Sequence, residues 1–107
     1  MKPRDFKMSS GNVFADLGVD APQEALAKAE LAAQIARIIK AKGLTQVAAA
    51  RVLGIDQPKV SALVRGRLID FSTERLIKFL NTLGRDVQIV VTARSRRGLG
   101  SLQVVTV

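Results

Sequence analysis

Apolar residues recur at helical spacing through the middle of the chain and at alternating spacing near its C-terminus, and that change of period divides the sequence into three parts. From Asp20, the positions Leu26, Leu31, Ile35, Ile38 and Ile39, with Ala29, Ala32 and Ala36, predict one face of a long helix running to Lys42. Asp20 caps its start, Pro22 is tolerated in the first turn, Gln23 stands where a capping box takes Glu or Gln, and Gly43 ends it. Thr45 can cap a short helix over 46–53 that stops at Gly54. Asp56 can cap another from Gln57 to about Arg65, with Pro58 in its permissive first turn and Gly66 beyond its end. Ser72 caps a fourth over 73–83, with Leu76, Phe79, Leu80 and Leu83 on one face and Gly84 as the stop.

Beyond Gly84 the period falls to two. In 86–92 (DVQIVVT), Val87, Ile89 and Val91 alternate with Gln88, Val90 and Thr92, and the β-branched content predicts a strand. A basic turn over 94–100 leads to a second candidate strand at 102–107. A hairpin is the simple reading, but two strands alone are marginal in water, so pairing with a second copy of the chain is the expected use. Val87, Ile89 and Val91 are the expected dimerisation residues. Residues 1–19 show neither period and read as an arm, either a disordered end or a segment that docks through Val13, Phe14 and Leu17. The expected organisation is therefore an arm (1–19), a mainly α domain of four to five helices (20–84) and a C-terminal strand or hairpin extension (85–107).

Composition narrows what such a domain can do. Only four of 107 residues are aromatic, all Phe, so the core must be built from Ala, Val, Leu and Ile, which suits closely packed helices. The net charge of +8 favours nucleic acid, an anionic membrane surface or an acidic protein as partner. Between Ala36 and Lys78, nine basic residues face three acidic ones, so the excess belongs to the folded part and not only to the tails. Cysteine and histidine are both absent, which removes disulfides, the common zinc sites and every Ser-His or Cys-His pair. No enzyme activity, metal or cofactor is expected. Glycine-rich loops between a strand and a helix are missing, so nucleotide binding has no support. No apolar run approaches a membrane span, and the basic start over 1–7 lacks the apolar stretch of a signal peptide, so a cytoplasmic, nucleoid-associated protein is expected.

The segment over 45–67 (TQVAAARVLGIDQPKVSALVRGR) carries the functional reading. Two short helices crossing at a steep angle need a small residue where they touch, a glycine in the turn and branched anchors on the second helix. Ala50, Gly54, Val60 and Leu63 stand at offsets that meet those needs and form the expected motif core. With the flanking Thr45-Gln46 and Arg65-Gly66, they resemble the lambda-repressor-like helix-turn-helix domain of the XRE family of transcriptional regulators, over roughly 25–83. The opening SSGNVFADLG, the long first helix and the closing GRDVQIVV are similar to XRE antitoxins of HigA type. That resemblance implies a partner toxin of RelE/ParE kind and repression of the chain's own operon. The strand after the fourth helix departs from the plainest family members, which often continue with a fifth helix.

With the second motif helix in a major groove, its first residues meet base edges. Gln57, Pro58, Ser61 and Ala62 are left outward and are the base-contact candidates. A carboxamide such as Gln57 can both donate to and accept from adenine, whereas Pro58 and Ala62 offer only apolar contact. Gln46 matches the family position that holds a backbone phosphate, and Lys59, Arg65 and Arg67 are expected to do the same by charge. Ser72 and Thr73 are candidates for a further phosphate contact or for ordinary capping. The leading expectation is a dimeric repressor of double-stranded operator DNA that also serves as an antitoxin. The alternatives are a stand-alone regulator without a toxin and a protein-binding module whose DNA binding is weak.

Overall fold

The computed structural model describes residues 21–93 and 100–107. The arm over 1–19, the cap at Asp20 and the basic turn from Arg94 lie outside the described residues. The described part holds four helices: α1 (Ala21–Ala41), α2 (Gln46–Leu53), α3 (Gln57–Val64) and α4 (Thr73–Thr82). Three of the four begin on the caps that the sequence predicts. Thr45 Oγ1 accepts from the Ala48 amide at 3.0 Å, Asp56 Oδ1 from Lys59 at 3.0 Å, and Ser72 Oγ from Arg75 at 3.1 Å. Each bond satisfies an amide that the first turn of a helix otherwise leaves without a partner.

The long α1 is the platform. Its inward face, Ala27, Leu31, Ala32, Ile35, Ile38 and Ile39, is buried, and α4 lies against it through Leu76, Phe79 and Leu80. The pair α2 and α3 close the core with Ala49, Leu53, Val60 and Leu63, while Phe71 seals the join to α4. Phe71 and Leu76 sit at N′ and N4 of α4 and are both buried, the arrangement of a hydrophobic staple. Two positions expected on the inner face of α1 are not there: Leu26 is 72% exposed and Ala29 is exposed. Leu26 is nine residues from the fully buried Ile35, two and a half helical turns, and so points the opposite way. Ala27 takes the inward place.

A second correction concerns the C-terminus. Among the described residues there is no strand: 86–93 and 100–107 lack regular secondary structure, and the expected hairpin is not formed. Of the alternating residues over 86–92, only Val87 packs on the core, while Ile89 and Val91 are 73% and 90% exposed. Alternation specifies two faces, but a strand also needs a neighbouring backbone to pair with, and among the described residues these have none. The last residues run back along α1 instead. The Leu102 amide donates to Gln23 Oε1 at 3.1 Å, Gln34 Nε2 donates to Thr106 Oγ1, and Val104 packs on the core. The bonded positions lie eleven residues apart on α1, about 16 Å, and four apart on the tail, which spans at most about 14 Å, so the tail runs nearly extended and the glutamine side chains make up the difference.

Candidate nucleic-acid interface

The turn between α2 and α3 is held by the backbone. Gly54 takes the left-handed conformation with φ 73°, and the amides of Gly54 and Ile55 both donate to the Ala50 carbonyl, at 2.9 and 3.1 Å. A Cβ at Gly54 would meet no atom within 4 Å, so glycine is present for its backbone freedom and not for space. Val60 and Leu63, at 0% and 1% exposure, then pin the inner face of α3 to the core. Of the motif-core residues, Ala50 is only half-buried, and the fully buried alanine at this crossing is its neighbour Ala49. The heptad-like spacing Ala49, Leu53 was the available signal.

With those anchors fixed, about 100° per residue puts Pro58, Ser61, Ala62 and Arg65 on the far side of α3. Gln57 and Pro58 are exposed at its start, and Ser61 and Ala62 are half-buried further along. Gln46 is half-buried at the first position of α2. Lys59 is half-buried, whereas Arg65 and Arg67 project from the end of α3 and the following loop. That loop is ordered by the Arg67 amide bonding to the Ala62 carbonyl at 2.9 Å and by a turn closed from Phe71 to Leu68 at 3.0 Å.

The two candidates at the start of α4 separate. Ser72 is half-buried; its hydroxyl oxygen accepts the capping bond, which leaves its hydrogen free to donate outward. Thr73 has only 2% of its surface exposed and its hydroxyl has no hydrogen-bond partner. Its side chain is walled off from any phosphate, which corrects the expectation that it would make such a contact. Two cations to which sequence reasoning assigned no role also stand out. Arg51 shares a shallow concavity of about 430 Å³ with Gln57, between α2 and the start of α3. Arg75 lies with its guanidinium 5.6 Å from the ring centres of both Phe71 and Phe79, which themselves meet edge to face at 6.0 Å. The i, i+4, i+8 spacing of Phe71, Arg75 and Phe79 was the visible signal for that stack.

No helix among the described residues is long and apolar enough to cross a membrane. Compared with known proteins, residues 13–92 match the family described as Helix-turn-helix domain. No curated protein matches the chain. A solved structure of a protein described as an XRE family transcriptional regulator is similar over 82% of this chain and 100% of its own, with 42% identity and a TM-score of 0.78.

Proposed function

This chain belongs to the helix-turn-helix domain family as an XRE-like, DNA-binding transcriptional regulator, and from that premise we propose that it is a sequence-specific repressor of double-stranded operator DNA. In this reading Gln57, Pro58, Ser61 and Ala62 meet base edges in the major groove. Gln46, Lys59, Arg65, Arg67 and the Ser72 hydroxyl hold the phosphates on either side. The observation that carries the reading is the start of α3: Gln57 and Pro58 are exposed at its capped end, on a helix whose opposite face is locked by Val60 and Leu63. A rigidly held helix end can discriminate bases because it cannot readjust to the wrong one.

The test is binding to the promoter of the chain's own operon, followed by fluorescence anisotropy over a salt series. Gln57→Ala narrows the gap between operator and random DNA, because it removes a base contact worth about 1 to 3 kcal/mol. Lys59→Ala weakens both DNAs alike and lowers the salt slope by about one unit. Equal losses on both DNAs from Gln57→Ala would remove the base-reading assignment.

The same reading takes the chain to act as a homodimer through Val87, Ile89 and Val91 and to neutralise a RelE/ParE-like toxin encoded beside it. The apolar surface left open at Ile89, Val90, Val91 and Val105 favours a protein partner at this end of the molecule. Co-expression decides the toxin assignment: the neighbouring small reading frame should arrest growth alone and not together with this chain. A neighbour that is harmless alone leaves a stand-alone regulator.

A further inference from the structure

A cleft of about 460 Å³ opens between 87–92 and 101–105, with Leu31 of α1 and Ile77 of α4 on its helical side. We propose that this cleft is a slot for the 87–92 segment of a second copy, so that two copies exchange these segments. Each then lies between its partner's two C-terminal segments. The inference rests on the dimeric reading above and adds what that reading lacks, namely what the partner's segment sits against.

Four features support it. No backbone hydrogen bond joins the two walls among the described residues, so each offers an edge to whatever enters. Both walls are free of charge, 87–93 reading VQIVVTA and 101–107 reading SLQVVTV, in a chain where 24% of residues are charged. The outer wall is anchored, since its ends are bonded to Gln23 and Gln34 of α1. The walls are also alike: Val87-Gln88-Ile89-Val90 and Leu102-Gln103-Val104-Val105 share one order of apolar residue, glutamine, β-branched residue and valine. A surface that accommodates a neighbour of one kind along one wall accommodates it along the other.

Symmetry selects the occupant. If the second copy's 87–92 enters this slot, a two-fold axis puts this copy's 87–92 into the slot of the other. The order across the four segments becomes 101–105, then the partner's 87–92, then 87–92, then the partner's 101–105. The two central strands are antiparallel, oppose no like charges, and gain a neighbour on each side. The exposed Ile89, Val90 and Val91 of both copies are covered in one step, and the assembly closes at two copies. A strand from an unrelated protein would fill one slot and leave the exchange unreturned.

The chain has no cysteine, so single cysteines report proximity without background. Gln88→Cys, Val90→Cys and Thr92→Cys, all at exposed positions, are each mixed in the full-length protein with Val105→Cys, also exposed. The mixtures are oxidised mildly, while sedimentation gives the oligomeric state and anisotropy gives operator affinity. Exchange predicts a dimer and, in at least one mixture, a covalent pair containing one copy of each variant. A dimer in which only the 87–92 cysteines join one another overturns the exchange and leaves the dimeric regulator standing. A chain that remains monomeric at concentrations where it binds its operator overturns both the exchange and the dimer, but not DNA recognition.

Discussion

The helix-turn-helix and the C-terminal segments have similar shares of apolar residues, yet they reach opposite states in one copy of the chain. Over 46–64 each helix has its cap, its stop and its buried anchors, and Ala49, Val60 and Leu63 are essentially without solvent contact. Over 86–107 the β-branched residues are as regularly spaced, but Ile89, Val90, Val91 and Val105 are each at least 73% exposed. A helix satisfies its backbone internally and needs only one apolar face covered. A strand must find its backbone partners elsewhere. The contrast teaches that the first region buries its apolar face within the described residues and the second does not.

The sharpest way to break that contrast is truncation on each side. Leu63→Ala should cost about 3 kcal/mol of unfolding free energy, within the usual 2 to 5, because it empties a site in a packed core. Val91→Ala should change it by less than about 0.5 kcal/mol at concentrations where the chain is monomeric. Denaturant titration measures both, and comparable losses would mean that the C-terminal segment is as integrated as α3. Next in size is Gly54→Ala. The space is open, so the cost is the left-handed backbone alone, about 1 to 2 kcal/mol; a neutral result would show that the turn yields.

Two smaller effects probe the edge of the helical core. Thr73→Val should raise stability by about 1 kcal/mol, since it replaces a buried hydroxyl without a partner by a methyl of the same shape. A loss would reveal a partner for that hydroxyl. Arg75→Met should keep the packing over Phe71 and Phe79 while giving up the charge over the rings, a loss of about 0.5 to 1 kcal/mol. An unchanged melting midpoint would reduce Arg75 to a greasy cover.

The sequence was most legible where its signals are local. Thr45, Asp56 and Ser72 announce helix starts because a cap acts over three residues, and α2 was bounded to the residue for the same reason. Leu26 lies off the stripe that Ile35, Ile38 and Ile39 set, where the other helices meet α1, so an apolar residue near the helix start does not by itself mark the buried face. Thr73 could not be distinguished from a surface cap without knowing which way α4 faces α1. The strand expectation at 86–92 failed because alternation in sequence supplies no backbone partner, and none lies within the described residues. Of the candidate interface, the exposure of Gln57 and Pro58 at the start of α3 and of Arg65 and Arg67 after it was readable from caps and offsets. The concavity that Arg51 shares with Gln57 was not, because the two residues lie across a turn from one another.

The eight-residue length of α3 limits what it can say. At 1.5 Å per residue it runs about 12 Å, the height of roughly four base pairs. A four-letter word turns up by chance roughly once in 250 positions, and a genome offers on the order of a million or more competing positions. One copy therefore cannot address a promoter by spelling alone. In the proposed dimer two copies at one fixed spacing would spell about eight letters, roughly one chance occurrence in 65,000 positions, still short of a unique address. That rarity holds only while the number of unread base pairs between the two words is fixed, so in the proposed dimer the ruler that sets this distance, whatever joins the two copies, is itself part of the address.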